Sequence, residues 1–480
     1  MDLGAGNYPK LVALLHQIAG TLANPSQTLV SAASADPVPA WTAPPFDAEA
    51  GVNETVAYGM PVVQHTAAVK IYNASSDWTD AAVANGSFFG VYSHAPMIGF
   101  FDGFFVASWK NSALQHDIPG RGHPTSEDTP GQRILWSYAT AEAPLKYSAP
   151  AILFPNVSSG DQVCRKWQKG AAPRSTYLSP GCAHLFAEPT VVIHGRIYAA
   201  ASLRQFCLWP LDPVNEDGIY LLLRRITLRT GAPPKLGRIF WAKSPGEAWA
   251  ATNARLGMQT LSQMDAETQS DVASLLGGER PCEANATKCE YCVGDCQDLR
   301  AAGAKSAECA PEDIGGPWIE RTHWTVPSRA EGNGTDILVY RASGPYLCFS
   351  QRDHGGEWSA LRKTRLMGVH SNINAGSLPD GRVYLLHNPV AGPFERDPLV
   401  LSLSSDGYSF DKAYVALSCR LRPVTSPGGR VNGCKRRNPG GDGSPGPQYP
   451  QGLVHGDSLY VIMSVNKEDI WVEQISLSSL

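Results

Sequence analysis

One short unit returns five times along this chain and restricts its fold more than any other feature: an apolar strand, a turn and a second apolar strand. The first runs from Met97 through Asp102-Gly103 to Ala107, and the second from Thr190 through His194-Gly195 to Ala200. The third, Thr335 to Arg341, shows one strand only; the fourth runs from Ala375 through Asp380-Gly381 to Leu386, and the last from Gly452 through His455-Gly456 to Ile462. Asp-Gly and His-Gly supply the positive φ of a tight hairpin turn, and the flanking apolar residues supply the strands. With 46 Gly, 37 Pro, 12 Trp and 17 Tyr spread over 480 residues, the chain suits many short strands joined by turns and few long helices.

Five copies of one hairpin, unevenly spaced, predict an all-β radial repeat in which each hairpin is the inner half of one propeller blade. Six blades are expected, with five or seven as alternatives and a further blade sought near residues 220–245. The uneven spacing is explained by an insertion over 245–315, which holds a helical pattern from Met264 to Leu276 and a cysteine cluster. The last hairpin ends too near residue 480 to leave room for a full blade. Pro61–Tyr72 is therefore predicted to supply the missing outer strand, closing the ring and removing its free edges. The propeller is placed at 56–480, and the Ala/Pro/Ser-rich residues 1–55 are read as a leader and flexible segment.

The formal charge of −4, with only short basic clusters at Arg224-Arg225 and Lys435 to Arg437, argues against a nucleic-acid partner. No run of 18 or more apolar residues predicts a membrane span. Sequons at Asn53, Asn73, Asn85, Asn156, Asn285 and Asn333 exceed the two or three that composition would give, by a rough estimate. They agree with 11 cysteines in pointing to the secretory pathway. The apolar run Leu11–Ala23, followed by small residues up to Ala35, fits a leader that is cleaved. Cys282, Cys289, Cys292, Cys296 and Cys309 lack a histidine at ligand spacing, so disulfides are expected rather than zinc, and Cys419 with Cys434 is expected to staple a loop. No zinc-protease, calcium-loop, phosphate-loop, dinucleotide or serine-elbow motif appears, and no cofactor or metal is expected.

Two segments carry a more specific pattern. Ser350 to Trp358, with Asp353 and Gly355, and Ser404 to Phe410, with Asp406 and Gly407, each place Ser, Asp, Gly and an aromatic residue in order. The first has one residue more between Ser and Asp than the regular Asp-box, and the second lacks the spacer between Asp and Gly. Such a box is local architecture: the carboxylate caps turn amides, the glycine takes the awkward dihedral and the ring tucks between strands. With Ser108-Trp109, the Glu127 to Trp136 segment, Tyr449-Pro450 and Asn466 to Ile470, these boxes resemble the sialidase-like propeller superfamily, in an uncharacterised branch, over about residues 85–480. The resemblance implies action on a glycan or polysaccharide, since the superfamily holds exo-sialidases, polysaccharide lyases and glycan-binding modules, and a monomer is expected.

A sialidase requires three arginines around the substrate carboxylate, a tyrosine nucleophile polarised by a glutamate, and an aspartate acid/base. Arg133, Arg204, Arg341, Arg382 and Arg396 lie near strand ends and are the candidates; the arginine of the family's opening motif is absent from Asp117-Ile118-Pro119. Histidines stand beside strands at His65, His94, His184, His323, His370 and His387. His94, Glu188 and Arg133 are the proposed catalytic groups, with Glu127 in the acidic loop before Arg133. Arg204, Arg341, Trp109, His323, Asn372, Arg382 and Tyr449 are assigned to substrate binding, and Trp324 is a further stacking candidate. The leading expectation is hydrolysis of a terminal acidic sugar. β-Elimination on a uronic acid, which His, Tyr and Arg are able to perform, and non-catalytic glycan binding stand as alternatives.

Overall fold

The computed structural model describes residues 37–64, 66–72, 92–112, 132–155, 183–205, 220–243, 253–254, 256–277, 309, 321–326, 334–341, 345–353, 356–368, 371–390, 396–421 and 446–480. Within them lie five four-stranded antiparallel blades of a β-propeller. The first is Tyr92–Phe101, Phe104–Ser112, Gln132–Thr140 and Ala151–Phe154. The second is Ala183–Ile193, Arg196–Gln205, Tyr220–Arg229 and Ala232–Lys243, with Gln259–Thr260 added in parallel outside it. The third is Arg321–Val326, Thr335–Tyr340, Tyr346–Asp353 and Arg362–Met367, and the fourth Asn374–Ser377, Val383–His387, Leu399–Ser404 and Ser409–Leu417. The fifth is Pro447–His455, Ser458–Val465, Asp469–Ser476 and, from the other end of the chain, Thr66–Tyr72. Residues 220–243 are thus the outer pair of the second blade and form no blade of their own, because Tyr220–Arg229 takes up the open edge of Arg196–Gln205.

The inner hairpins of the first, second, fourth and fifth blades turn where the sequence places Asp-Gly or His-Gly. Asp102 and His194 have φ of 46° and 47°, and the glycines after them 82° and 74°. The hydrophobic cores lie between blades. Trp109, Phe105 and Leu135 of the first blade pack against Tyr460, Ile462 and Val472 of the fifth, and Ile134 and Trp136 against Leu185 and Trp241 of the second. Leu401 and Leu403 meet Leu459 and Met463 between fourth and fifth blades, and Trp324 and Phe349 meet Leu385 and Phe410 between third and fourth. Each such side chain contributes roughly 1.5–3 kcal/mol on burial, so the sheets are held face to face as much as by their ladders.

The N-terminal segment is less free than its composition suggests. Ala40–Trp41 pairs in parallel with the outer strands of both third and fourth blades, Val38 and Trp41 pack against the core between them, and Val62 bridges to Val415. From residue 38 the flexible reading of 1–55 therefore gives way to a strap across two blade edges. In the insertion, the predicted helix is present as Ala266–Gly277, and Cys309 forms a disulfide with Cys348 of the third blade. Cys282, Cys289, Cys292, Cys296 and Cys434 lie outside the described residues.

The Asp-box at 404–410 is built as its chemistry requires. Asp406 Oδ1 accepts the amides of Tyr408 (2.7 Å) and Ser409 (2.6 Å) and the Ser404 hydroxyl (2.9 Å). Ser404 Oγ accepts the Gly407 amide, Gly407 has φ +76°, and Trp324 donates its indole N–H to the Gly407 carbonyl. At the matching turn of the third blade, Asp353 instead takes the Thr335 hydroxyl at 3.2 Å, and the Arg352 guanidinium covers Trp358. There Ser350 donates to the Ser359 carbonyl at 2.6 Å and the Gln351 amide donates to Ser359 Oγ. The first blade repeats this pair with Ser137, Ser148 and the Tyr138 amide, an internal repeat that the sequence reading missed.

Candidate active site

Strand direction sorts the candidate residues. Inner strands begin, second strands end and third strands begin at one end of the propeller, here the upper end. The Gly turns and the Asp-boxes lie at the lower end. His94, Arg133, Arg204, Arg341 and Tyr449 fall at the upper end, with Asn372 at the entry to the fourth inner strand. Arg382 does not: it follows the lower turn, where it pairs with Asp380 and donates to the Leu480 carbonyl at 2.7 Å. It is a fold contact, since its charge is engaged at the wrong end for a shared site.

Three inner strands carry the same local device. In the first, His94 pairs with Lys110 and Met97 with Ser108; in the fifth, Gln448 pairs with Ser464 and Gln451 with Ile462; in the second, Glu188 pairs with Ala200 and Val191 with Tyr198. Each inner strand advances three residues while its partner advances two, so each holds one extra residue. A proline sits in every bulge: Pro96, Pro189 and Pro450. Proline lacks the ladder N–H and suits a bulge, and the bulge re-aims the side chains beside it. Ala95 and Tyr449 occupy equivalent places and both have positive φ, 48° and 54°. His94, Glu188 and Gln448 therefore stand at one register position in three blades.

Around Tyr449 the side chains converge. Arg341, at the end of the third blade's second strand, donates from Nη1 to the phenol oxygen at 2.9 Å. The Arg396 guanidinium lies 5.4 Å from the ring centroid, and its Nη1 donates to Gln448 Oε1. The His94 ring is centred 3.9 Å from the Tyr449 ring, and His94 Nδ1 shares a hydrogen bond of 2.9 Å with Ser464 Oγ. These residues come from the first, third, fourth and fifth blade regions, and His94, Arg396, Gln448 and Tyr449 are all buried. Two guanidinium groups, an imidazole and a phenol at one place have the chemistry to recognise an anionic, hydroxylated ligand.

The second blade offers the carboxylate. Glu188 is buried, and its Oε1 accepts the Ser202 hydroxyl at 2.5 Å. On the first blade, Lys110 lies beside Tyr92 and over Phe186, 3.8 Å from its centroid. Arg133 donates from Nε to Asn111 Oδ1 at 3.1 Å, and Asn111 in turn donates to the Tyr92 carbonyl and Ser93 Oγ. Burial, opposed by the nearby Tyr72, lowers the affinity of Arg133 for its proton below that of an ordinary arginine. Asn372 is fully buried with its Oδ1 on the Ile373 amide, while Asn374 bonds Gln451 at 3.1 Å and accepts the Gly452 amide, tying the fourth inner strand to the fifth.

Other candidates are placed elsewhere. Trp109 and Trp324 are sealed in cores between blades and offer no face to a sugar. His387 is fully buried, bonded to the Met367 carbonyl and Ser402 Oγ, and burial pushes its pKa down to about 4. His323 is half-buried on the third inner strand, opposite Leu338. Arg204 pairs through its backbone with His184 at the upper end. His65, His370 and Glu127 lie outside the described residues. Arg396 stands among the five candidate arginines but not among the substrate-binding assignments, which also omit Gln448 and Ser464. The Ala-Pro, Glu-Pro and Tyr-Pro dipeptides at the inner strands were the available signal for the bulges.

Residues 324–461 match the BNR repeat-like domain family, a span from the third inner strand to the fifth inner hairpin. A solved sialidase superposes over 91% of this chain with a TM-score of 0.56 at 19% identity. The chain spans only 35% of the length of that protein. A Trypanosoma rangeli sialidase in complex with sialic acid aligns over 86% of this chain and 59% of its own, at 9% identity and a TM-score of 0.42. A glycoside hydrolase family 130 structure, from work on β-1,2 mannosidic linkages in Candida mannan, aligns over 80% of this chain and 84% of its own, at 11% identity and a TM-score of 0.34. No curated protein sequence matches the chain. The chain therefore has the fold of a sialidase-like β-propeller, and its residues 324–461 carry the BNR repeat-like pattern.

Proposed function

We propose that the protein is a secreted carbohydrate-active enzyme that binds a terminal acidic sugar at the upper end of the propeller and hydrolyses its glycosidic bond. The observation that carries this reading is Tyr449 held by Arg341 at 2.9 Å, with the Arg396 guanidinium over its ring and His94 against it. Paired guanidinium groups recognise a carboxylate through directed hydrogen bonds that ammonium groups reproduce poorly. Arg341 and Arg396 take the carboxylate, Tyr449 contacts the sugar, and His94 with Glu188 moves the protons that bond cleavage requires. Arg133, on the same end of the first blade, serves as a further cationic anchor.

A second reading has its own support. A uronate lyase neutralises the substrate carboxylate, removes the C5 proton and protonates the leaving oxygen. The stacked His94 and Tyr449 beside two arginines supply those groups without a second carboxylate. Incubating the protein with sialylated and uronate-containing glycans, and following both reducing ends and ultraviolet absorbance, separates the two. New reducing ends without absorbance support hydrolysis, and absorbance of an unsaturated uronate supports elimination. Binding with neither signal sinks both enzymatic readings in favour of a glycan-binding module. In the hydrolase case R341A and R396A each lower kcat/KM by about a hundredfold, the effect of losing one charge-assisted contact in a closed site.

Secretion is supported by the sequon at Asn53. Asn53 and Thr55 are exposed, and Asn53 Oδ1 accepts the Thr55 hydroxyl at 2.8 Å together with the amides of Thr55 and Val56. The carboxamide nitrogen is thus presented on a fixed surface turn. Expression through a eukaryotic secretory pathway, followed by peptide N-glycosidase digestion, is expected to show a mass loss that N53Q reduces by one glycan. The other five sequons lie outside the described residues.

A further inference from the structure

We infer that Tyr58, on a hairpin outside the ring of blades, positions Arg396 and so belongs to the sugar site as a positioning residue, an inference that rests on the reading of Arg396 given above. Val56–Ala57 and Met60–Pro61 form a two-residue hairpin, and Tyr58 stands at its turn with φ +56°. A tyrosine in the left-handed region costs roughly 1–2 kcal/mol, so its side chain must supply compensation. The ring stacks on Phe46 and is buried with Val400, Ala413 and Val415 of the fourth blade. Its hydroxyl donates to Asp397 Oδ2 at 2.5 Å.

Asp397 is the residue after Arg396, and both its carboxylate oxygens are engaged away from the site. Oδ2 also accepts the Ser418 hydroxyl at 2.9 Å, and Oδ1 accepts the Cys419 amide at 2.9 Å. Burial, followed by the charge and hydrogen bond of Asp397, holds the Tyr58 phenol protonated far above the ordinary tyrosine range, so it remains a donor at any physiological pH. On the other side, Asn388 Nδ2 donates to the carbonyls of Arg396 (2.8 Å), Pro398 (3.0 Å) and Pro447 (2.9 Å). Residues 396–398 are therefore clamped between the N-terminal hairpin and the start of the fifth inner strand.

Two consequences follow for the site. The clamp fixes the backbone from which a long, flexible arginine reaches Gln448 and Tyr449, and small misplacements of such a group weaken recognition steeply. It also keeps the neighbouring carboxylate on Tyr58, Ser418 and Cys419, where it does not compete with a ligand's carboxylate for the Arg396 guanidinium. Phenylalanine at 58 would keep the ring, its stack on Phe46 and its burial, and remove only the hydroxyl with its bonds to Asp397 and, at 3.1 Å, to Ser418 Oγ.

The test compares the full-length protein with Y58F, R396A and Y58F/R396A. Hydrogen exchange across residues 396–400 is expected to quicken by about tenfold in Y58F, the loss of one hydrogen bond to a charged group, while the blades elsewhere keep their protection. Affinity for N-acetylneuraminyl-lactose is expected to fall about tenfold in Y58F, with no further loss when Y58F is added to R396A. Unchanged exchange at 396–400, or losses that add in the double variant, overturns the inference. A parent protein that binds no acidic saccharide sinks the reading of the site, while the exchange result still decides the link to Arg396. Should Y58F fail to fold, S418A removes the other hydroxyl on the same carboxylate oxygen and is expected to loosen 396–400 in the same way.

Discussion

At Gly407 the backbone φ is +76°, and a Cβ built there would lie 2.5 Å from Val326 Cγ2. G407A is therefore expected to destabilise the protein by about 2–4 kcal/mol, from left-handed strain and overpacking together, seen as a lower urea midpoint with an unchanged slope. His387 gives a pH dependence with a definite sign. Its folded pKa, pushed down to about 4 by burial, lies below the unfolded value near 6.5, so the proton binds the unfolded chain more tightly. The stability tied to neutral His387 is fully present above about pH 6.5 and is lost as pH falls towards about 4, up to roughly 3 kcal/mol. Urea midpoints at pH 7 and pH 4.5 are expected to differ less in H387Q than in the parent. Of the residues singled out in sequence, a buried histidine and a site histidine look alike, because burial comes from residues distant along the chain. His387 and Trp109 are sealed by partners in other strands, and nothing within their own segments shows it.

Bulges in three inner strands set His94, Glu188 and Gln448 at one register position. Deleting Ala95 removes the extra residue between His94 and Met97, and with it the local bend and twist by which the bulge aims His94. The variant is expected to keep the far-ultraviolet dichroism of the parent and to lose turnover or acidic-glycan binding by about a hundredfold. A second element-level device docks the insertion. Asp271 of the helix accepts His194 at 2.7 Å, both Nε and Nη2 of Arg196 at 2.5 Å and the Tyr198 hydroxyl at 2.6 Å. Although burial pushes its pKa up, these bonds win and hold it at about 2. D271N is expected to free the helix for limited proteolysis between 256 and 277 while the blades resist. The hairpins and the helix were legible because their signals are local: Gly turns, strand alternation and a helical pattern from Met264 to Leu276, observed as the helix Ala266–Gly277. The bulges were not, since a proline in an apolar run argues against a strand when read alone. The Asp271 clasp was not legible either, because its donors lie more than 70 residues away in sequence.

Closure joins the two ends of the chain. Thr66–Tyr72 pairs along Asp469–Ser476, from Thr66 opposite Ile475 to Tyr72 opposite Ile470, and Ile71 and Tyr72 enter the core shared with Trp109. Lys70 adds an ion pair to the buried Asp469 at 2.9 Å. The sequence pointed to this strand through the apolar run Pro61–Tyr72, read as the outer strand of the last hairpin's blade. Removing it leaves the edge of Asp469–Ser476 unpaired and uncovers apolar surface at the first blade, a template for association between copies. A chain beginning at residue 73 is expected to elute as aggregates and to melt at a lower temperature than the parent. A synthetic peptide of residues 60–72 added during refolding is expected to restore the parent's elution peak, because strand addition supplies the missing ladder and the side chains of Ile71 and Tyr72 supply register. A peptide with those two residues exchanged for serine keeps the backbone donors and loses the core contacts. If it restores the parent's peak equally well, the ladder alone closes the ring; if it fails, the seam between first and fifth blades is held by the packing of these side chains.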